Sequence, residues 1–315
     1  MATGRRKITV IGAGNVGATT AQRLAERDYA DVVLVDVVEG LAEGKALDMN
    51  SAGPVVGYEP TVTGSTNDYT LTAGSDVIVI TSGLARKPGM SRDDLLLKNM
   101  EIVRTVTKAA AEQSPNAVIV VVSNPLDAMV FVAKQVTGFP RERVIGSAGV
   151  LDSARFRTNL ARAAGVSVED VQAMVLGAHT DKDMVPITSN AMIGNVPVSK
   201  FLSDEQLTAV VEATKKGGAT LTGLIGTSAW LAPGAGTCLM VEAIIRDQGR
   251  VLPCSVELQG EFGVTGAFVG VPVKLTAGGA VAVYEFDLSA AEREAFTKSV
   301  EANTSLMEIA RGFLG

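Results

Sequence analysis

The sequence predicts an α/β chain, a doubly wound parallel sheet followed by a mixed α+β domain. Three observations predict it. Through the first half, short β-branched runs alternate with longer segments of helical period. Several of those runs are apolar at consecutive positions, as strands covered on both faces must be. After about Val150, strand-like segments instead follow one another through Gly and Pro turns.

Taken in order, strands are expected at 8–11, 32–37, 76–81, 117–123 and 144–145. Helices are expected between them at 16–27, 92–113 and 126–137, the last closed by Gly138 and Pro140. In the second half, helices at 151–164, 204–216 and 290–311 frame strands at 251–258 and 270–275. Ser289 is placed to cap the final helix. No repeat or low-complexity linker interrupts the chain. The boundary is expected near residue 150, giving a dinucleotide-binding domain at 1–150 and a substrate domain at 151–315.

A chain of 315 residues, 47% hydrophobic and 20% charged, can bury a core without disulfides or metal. Its net charge of −6 and pI near 5.0 oppose nucleic acid and anionic membranes as partners, and a 4% aromatic share gives little surface for base stacking. An anionic substrate must therefore find a local cationic pocket. The two cysteines, Cys238 and Cys254, read as packing residues of a reducing compartment. Arg5, Arg6 and Lys7 lead straight into the first strand, and no apolar run is long enough for a signal peptide or a membrane span. The expectation is a soluble cytoplasmic protein.

Gly12-Ala13-Gly14-Asn15-Val16-Gly17 follows the first strand and opens a helix. In that context the first Gly permits the tight turn, the second lets backbone approach a diphosphate, and the third lets helix and strand pack closely. The free N–H groups of the helix start then face the diphosphate. Asp36 ends the second strand at the spacing expected of an acid that accepts the ribose hydroxyls. It would repel a 2′-phosphate, and no Arg follows to receive one, so NAD is expected as cofactor on a Rossmann-type sheet.

A second set of residues suits hydride chemistry on a hydroxy acid. His179 is the chain's single histidine. Oxidising an alcohol needs a group that takes the hydroxyl proton, and imidazole titrates in the useful range. Asp152 and Arg155 share one predicted helix face; Asp152 would orient His179, and Arg155 would grip a substrate carboxylate in a bidentate fork. The segment Arg86-Lys87-Pro88-Gly89-Met90-Ser91-Arg92 follows a parallel strand's carboxyl end and reads as a cationic lid. There Arg86 would pair with a second carboxylate and Arg92 would polarise the carbonyl. Asn124, after another strand, would bond a substrate oxygen, while Val122, Ser123 and Asn124 bring backbone to the nicotinamide. Asn99, on the helix after the lid, joins the cofactor set. No cluster of metal ligands is evident, so no metal is expected.

In these motifs, together with Gly270-Val271-Pro272-Val273-Lys274-Leu275, the chain resembles the lactate and malate dehydrogenase family over nearly its whole length. The resemblance implies the roles given to Arg92, Asp152, Arg155 and His179, and a homodimer or homotetramer. Within the family the lid position of Arg86 is Gln in lactate dehydrogenases and Arg in malate dehydrogenases, which implies malate or oxaloacetate as substrate. Small Ala229 falls where the family lines the far side of the pocket. The chain departs from the family after the histidine: where the family reads His-Gly-Asp, it has His179-Thr180-Asp181-Lys182-Asp183 and one residue more before Met184. Competing readings are a lactate dehydrogenase, told apart by preference for pyruvate, and a non-catalytic NAD sensor, which has no need of His179 with matched arginines.

Overall fold

The computed structural model describes residues 4–59, 61–84 and 92–315, with the side chains of residues 92 and 93 also left aside. The first half comprises β1 (Arg6–Ile11), α1 (Asn15–Glu26), β2 (Ala30–Asp36), α2 (Leu41–Val56), β3 (Val62–Thr66), β4 (Val77–Ile80), α3 (Arg92–Gln113), β5 (Val118–Val121), α4 (Leu126–Thr137) and β6 (Val144–Gly146). These strands pair in parallel in the order β3-β2-β1-β4-β5-β6, the doubly wound arrangement. Alternate residues face opposite cores: Val77, Val79, Val118 and Val120 pack on one side, Ile78, Ile80, Ile119 and Val121 on the other. That is why these strands are apolar at every position. Each such side chain contributes roughly 1.5–3 kcal/mol relative to exposure.

The parallel strands outnumber the five expected, because β3 and its preceding helix α2 carry no clear apolar period. Gly44, Gly53 and Pro54 interrupt the helical pattern of α2, and its buried face is only Ala42, Ala46, Met49 and Gly53. β3 is Val62-Thr63-Gly64-Ser65-Thr66, with two buried positions. Both elements pack through small residues, which leave little apolar periodicity to read. The expected strands over 76–81 and 117–123 are shorter than predicted. Residues 81–84 and 122–125 instead form the loops at the strands' carboxyl ends.

The second half opens with α5 (Gly149–Ala164) and continues through β7 (Val171–Gln172), β8 (Val175–Gly177), β9 (Met184–Pro186), β10 (Met192–Ile193) and β11 (Val196–Pro197). Next come α6 (Asp204–Lys215), α7 (Gly217–Ile225), α8 (Leu231–Ile245), β12 (Arg250–Gln259), β13 (Thr265–Thr276), β14 (Gly279–Val283) and α9 (Ala290–Leu314). Among the described residues the sheet has 11 strands, because β12 pairs antiparallel with β6 at Ser255 and Gly146 and carries the order on through β13, β8 and β9. Continuity of this sheet brings the end of β8, which bears His179, beside the loops of the parallel strands. α7 and α8 were not expected from the sequence. Glycines and Pro233 break their pattern, and α8 buries residues around most of its circumference rather than along a stripe. No described helix is long and apolar enough to cross a membrane.

Candidate active site

The glycine loop is built as its spacing predicts. Gly12 has φ of 103°, and a Cβ there would lie 2.7 Å from Thr81 Oγ1. A Cβ on Gly17 would overlap the Gly12 carbonyl oxygen, so α1 can approach β1 only with glycine at that position. Gly14, by contrast, has nothing within 4 Å of where a Cβ would be. It is the N-cap of α1, no side chain caps the helix, and no acid stands in its first turn. Open space before unneutralised N–H groups fits a diphosphate. Asn15 is exposed beside Gly14, whereas Ala13 is buried and Val16 half-buried. Asp36 accepts from Ala13 N at 2.6 Å and Val38 N at 2.9 Å, so it braces the loop. Each oxygen keeps a further lone pair for a ribose hydroxyl.

Side chains then tie the neighbouring loops together. The Thr81 hydroxyl lies 3.0 Å from both the Ile11 and Gly12 carbonyls. Ser123 Oγ donates to Ser82 O at 2.5 Å. Asn99 Oδ1 accepts from Leu84 N at 2.8 Å, and its Nδ2 donates to Asn124 O at 2.8 Å. Both ends of the buried Asn99 amide are thus engaged by backbone. It holds the loop of Asn124 in place, beside the residues with which the sequence groups it as a cofactor contact. The hydroxyl of Ser123 is likewise spent on the loop of β4, and Val122 is half-buried against the core of the parallel sheet. The Asn124 side chain is exposed, in the loop whose cis peptide to Pro125 leads into α4.

His179, at the end of β8, meets Asp152 in the first turn of α5: Nδ1 lies 2.7 Å from Asp152 Oδ2. An ionised carboxylate only accepts, so Nδ1 carries the proton and Nε2 is left with a lone pair. The ring is 18% exposed and Asp152 2%, so the pair opens to solvent only on the histidine side. Burial works against the imidazolium, but the charge and hydrogen bond of Asp152, with Asp127 behind them, outweigh it and hold the His179 proton affinity above the ordinary value. Arg155 Nη1 stands 3.4 Å from the other Asp152 oxygen, with its side chain 20% exposed. Beside it α7 begins with Gly217, where a Cβ would lie 3.2 Å from Arg155 Cδ.

Arg86 lies outside the described residues, as does the side chain of Arg92, which begins α3. Asp127 and Ser255 enter the site unannounced. Asp127 Oδ2 accepts the backbone N–H of His179 at 3.1 Å, and its Oδ1 accepts the Ser255 hydroxyl at 2.6 Å. An acid within the apolar run Leu126-Asp127-Ala128-Met129-Val130-Phe131 was the available signal.

Residues 6–146 match the lactate/malate dehydrogenase NAD binding domain, and residues 149–313 match the alpha/beta C-terminal domain of the same family. The chain belongs to the lactate/malate dehydrogenase family. It is 53% identical over 302 residues to the malate dehydrogenase of Roseiflexus sp. strain RS-1, covering 96% of this chain and 97% of that relative. The malate dehydrogenase structure from Salinibacter ruber superposes with a TM-score of 0.92 at 48% identity, over 97% of each chain. A lactate dehydrogenase of Cryptosporidium parvum, complexed with lactic acid and nicotinamide adenine dinucleotide, gives a TM-score of 0.94 at 36% identity, covering 98% of this chain and 99% of that one.

Within this lactate/malate dehydrogenase chain, the unusual segment after His179 forms a closed turn. Thr180 Oγ1 donates to Asp183 Oδ2 at 2.6 Å and accepts from Asp183 N at 2.9 Å, and Met184 N bonds Thr180 O at 3.1 Å. The threonine hydroxyl closes the turn locally and β9 begins in register with β8. The departure in sequence therefore leaves the bond between His179 and Asp152 intact.

Proposed function

We propose that this chain is an NAD-dependent malate dehydrogenase, in which His179 exchanges the proton and three arginines bind the dicarboxylate. The observation that carries the reading is the His179–Asp152 bond of 2.7 Å, which leaves Nε2 as the open, basic face of a buried pair next to Arg155. Gly12, Ala13, Gly14, Asn15, Val16, Gly17 and Asp36 would hold the dinucleotide, with the backbone of Val122, Ser123 and Asn124 toward the nicotinamide. When bound, NAD supplies the nicotinamide C4 that takes a hydride from malate and returns one to oxaloacetate.

Arg155 and Arg86 pair with the two carboxylates of malate, and Asn124 bonds the C2 oxygen. His179 Nε2 takes the C2 hydroxyl proton as the C2 hydrogen departs with its electron pair. The imidazolium so formed is stabilised by Asp152. Arg92 stabilises the charge developing on the C2 oxygen. Malate and NAD⁺ thus give oxaloacetate and NADH, with the released proton on His179; the reverse direction starts from the protonated ring.

The choice of malate over lactate rests on Arg86 and on relatives named malate dehydrogenase at about half identity. A second carboxylate enclosed without a paired cation would be costly. The test is oxidation of NADH with oxaloacetate and with pyruvate in parallel, on wild type and Arg86→Gln. Wild type is expected to prefer oxaloacetate by about 100-fold or more in kcat/KM, and the variant to lose most of that preference. Equal use of pyruvate by wild type would overturn the assignment.

The chain also works as a homo-oligomer in the cytoplasm on this reading. Support for the first is an exposed apolar surface on α2, where Val55 is 87% exposed and Leu47 and Val56 stand out beside it. Support for the second is that Cys238 and Cys254 are buried and unpaired. Cofactor binding before residue 150 and proton transfer after it is the corresponding division of labour.

A further inference from the structure

Asp127 is a buried carboxylate for which the reaction above has no use. It stands in the first turn of α4 and is 4% exposed. Its side chain joins three elements, because it accepts the backbone N–H of His179 at the end of β8 and the hydroxyl of Ser255 on β12. Among the described residues, the groups that bear on its charge are Ser255, His179 and Asp152, with no lysine or arginine. A neutral Asn would meet the same geometry: its amide oxygen could accept from His179 N and its NH2 could donate to the Ser255 oxygen. Burial pushes the Asp127 carboxyl up to about 6, against the two hydrogen bonds that favour its ionised form. Ionisation at this site is therefore costly, and among the described residues the charge that offsets it is the imidazolium of His179.

We propose that Asp127 is a positioning residue for the proton transfer, fixing the backbone of His179 and placing a second buried carboxylate, besides that of Asp152, beside this residue. Among the described residues, the charges facing the ring are Asp152 and Arg155 on α5 and Asp127 on α4. The Arg155 charge lowers the ring's affinity, and the two carboxylates raise it. Asp127 is ionised over the range in which a ring of raised affinity titrates, so its charge is present when the imidazolium must be held. Removing that charge moves the His179 titration to lower pH, and with it the pH above which oxaloacetate reduction runs short of its acid.

Because His179 is the only histidine, untagged protein labelled at histidine gives a single imidazole signal by NMR, which reports its titration without assignment work. Asp127→Asn is expected to lower that midpoint by about one pH unit, a shift of the size a nearby charge produces. The alkaline limb of kcat/KM for oxaloacetate should move down equally, with KM at neutral pH within about twofold of wild type, since Asp127 touches no substrate. The kinetic arm rests on the proposed malate reaction, while the NMR arm is independent of it, so the two readings fail separately. An unchanged imidazole midpoint in folded Asp127→Asn overturns the proposal and leaves Asp127 as a brace of the fold. Where circular dichroism shows that this variant does not fold, Ser255→Ala decides. It keeps the carboxylate but removes a hydrogen bond that favours its ionised form, so the midpoint must move in the same direction by a smaller step; no movement overturns the proposal as well.

Discussion

Single residues here derive their chemistry from partners distant in sequence. His179 is ordinary until Asp152 fixes its tautomer, and Asp152 is dry enough, at 2% exposure, for its charge to act with little screening. Asp152→Asn keeps the shape of the pair and removes that charge. Turnover should fall on the order of 100-fold or more, as measured by steady-state NADH oxidation with oxaloacetate. The pH profile should change with it. A raised His179 affinity keeps the acid available for oxaloacetate reduction as pH rises to the ring's own titration point and loses it above; without Asp152 that loss comes at lower pH. An Asp152→Asn variant with wild-type turnover and profile would remove the role assigned to Asp152.

Whole elements set where such residues can stand. α9 begins where the sequence put it, with Ser289 as N-cap, and the structure adds why this start is firm. Glu292 closes a capping box and also accepts from Thr188 N at 2.9 Å, Ser189 N at 3.0 Å and Ser189 Oγ at 2.6 Å. It thereby fastens the last helix to the loop after β9. Burial opposes the charge on Glu292, but these hydrogen bonds outweigh it and hold the carboxyl below its ordinary range. A depressed carboxyl adds stability above its unfolded pKa and loses it as pH falls through the folded value. Glu292→Gln should therefore cost about 2 kcal/mol in urea unfolding at neutral pH, and the difference from wild type should shrink below about pH 4.

The same scale separates what could be read in the sequence from what could not. Strands β1, β4 and β5 and helices α3 and α4 declare themselves by apolar runs and period, and the glycine loop by its spacing. α2, α7 and α8 do not, because glycine and proline sit inside them and tertiary packing, not propensity, holds them. In the site, His179, Asp152 and Arg155 were legible as residue types and come together in space. Asp127 and Ser255 were not, since a hydrogen bond to backbone across 52 residues leaves no periodic trace. Asn99 was legible as a polar residue in the right place, but only the structure shows that its amide is spent on two loops.

For the molecule as a whole, one continuous sheet holds the glycine loop and the His179–Asp152 pair in one frame. The exposed apolar surface of α2 belongs to this scale too. Val55→Lys should lower the mass seen by sedimentation velocity while leaving the secondary structure of the chain intact, and a wild type that sediments as a monomer would contradict the oligomer. On the proposed reading the division of labour is sharp: the glycine-loop half binds the cofactor and His179 alone supplies the proton. It is tested most directly by His179→Asn, with NADH binding followed by fluorescence and turnover followed with oxaloacetate on the same preparation. NADH affinity is expected within about twofold of wild type and turnover reduced about 1,000-fold; turnover near the wild-type rate would remove His179 from the reaction.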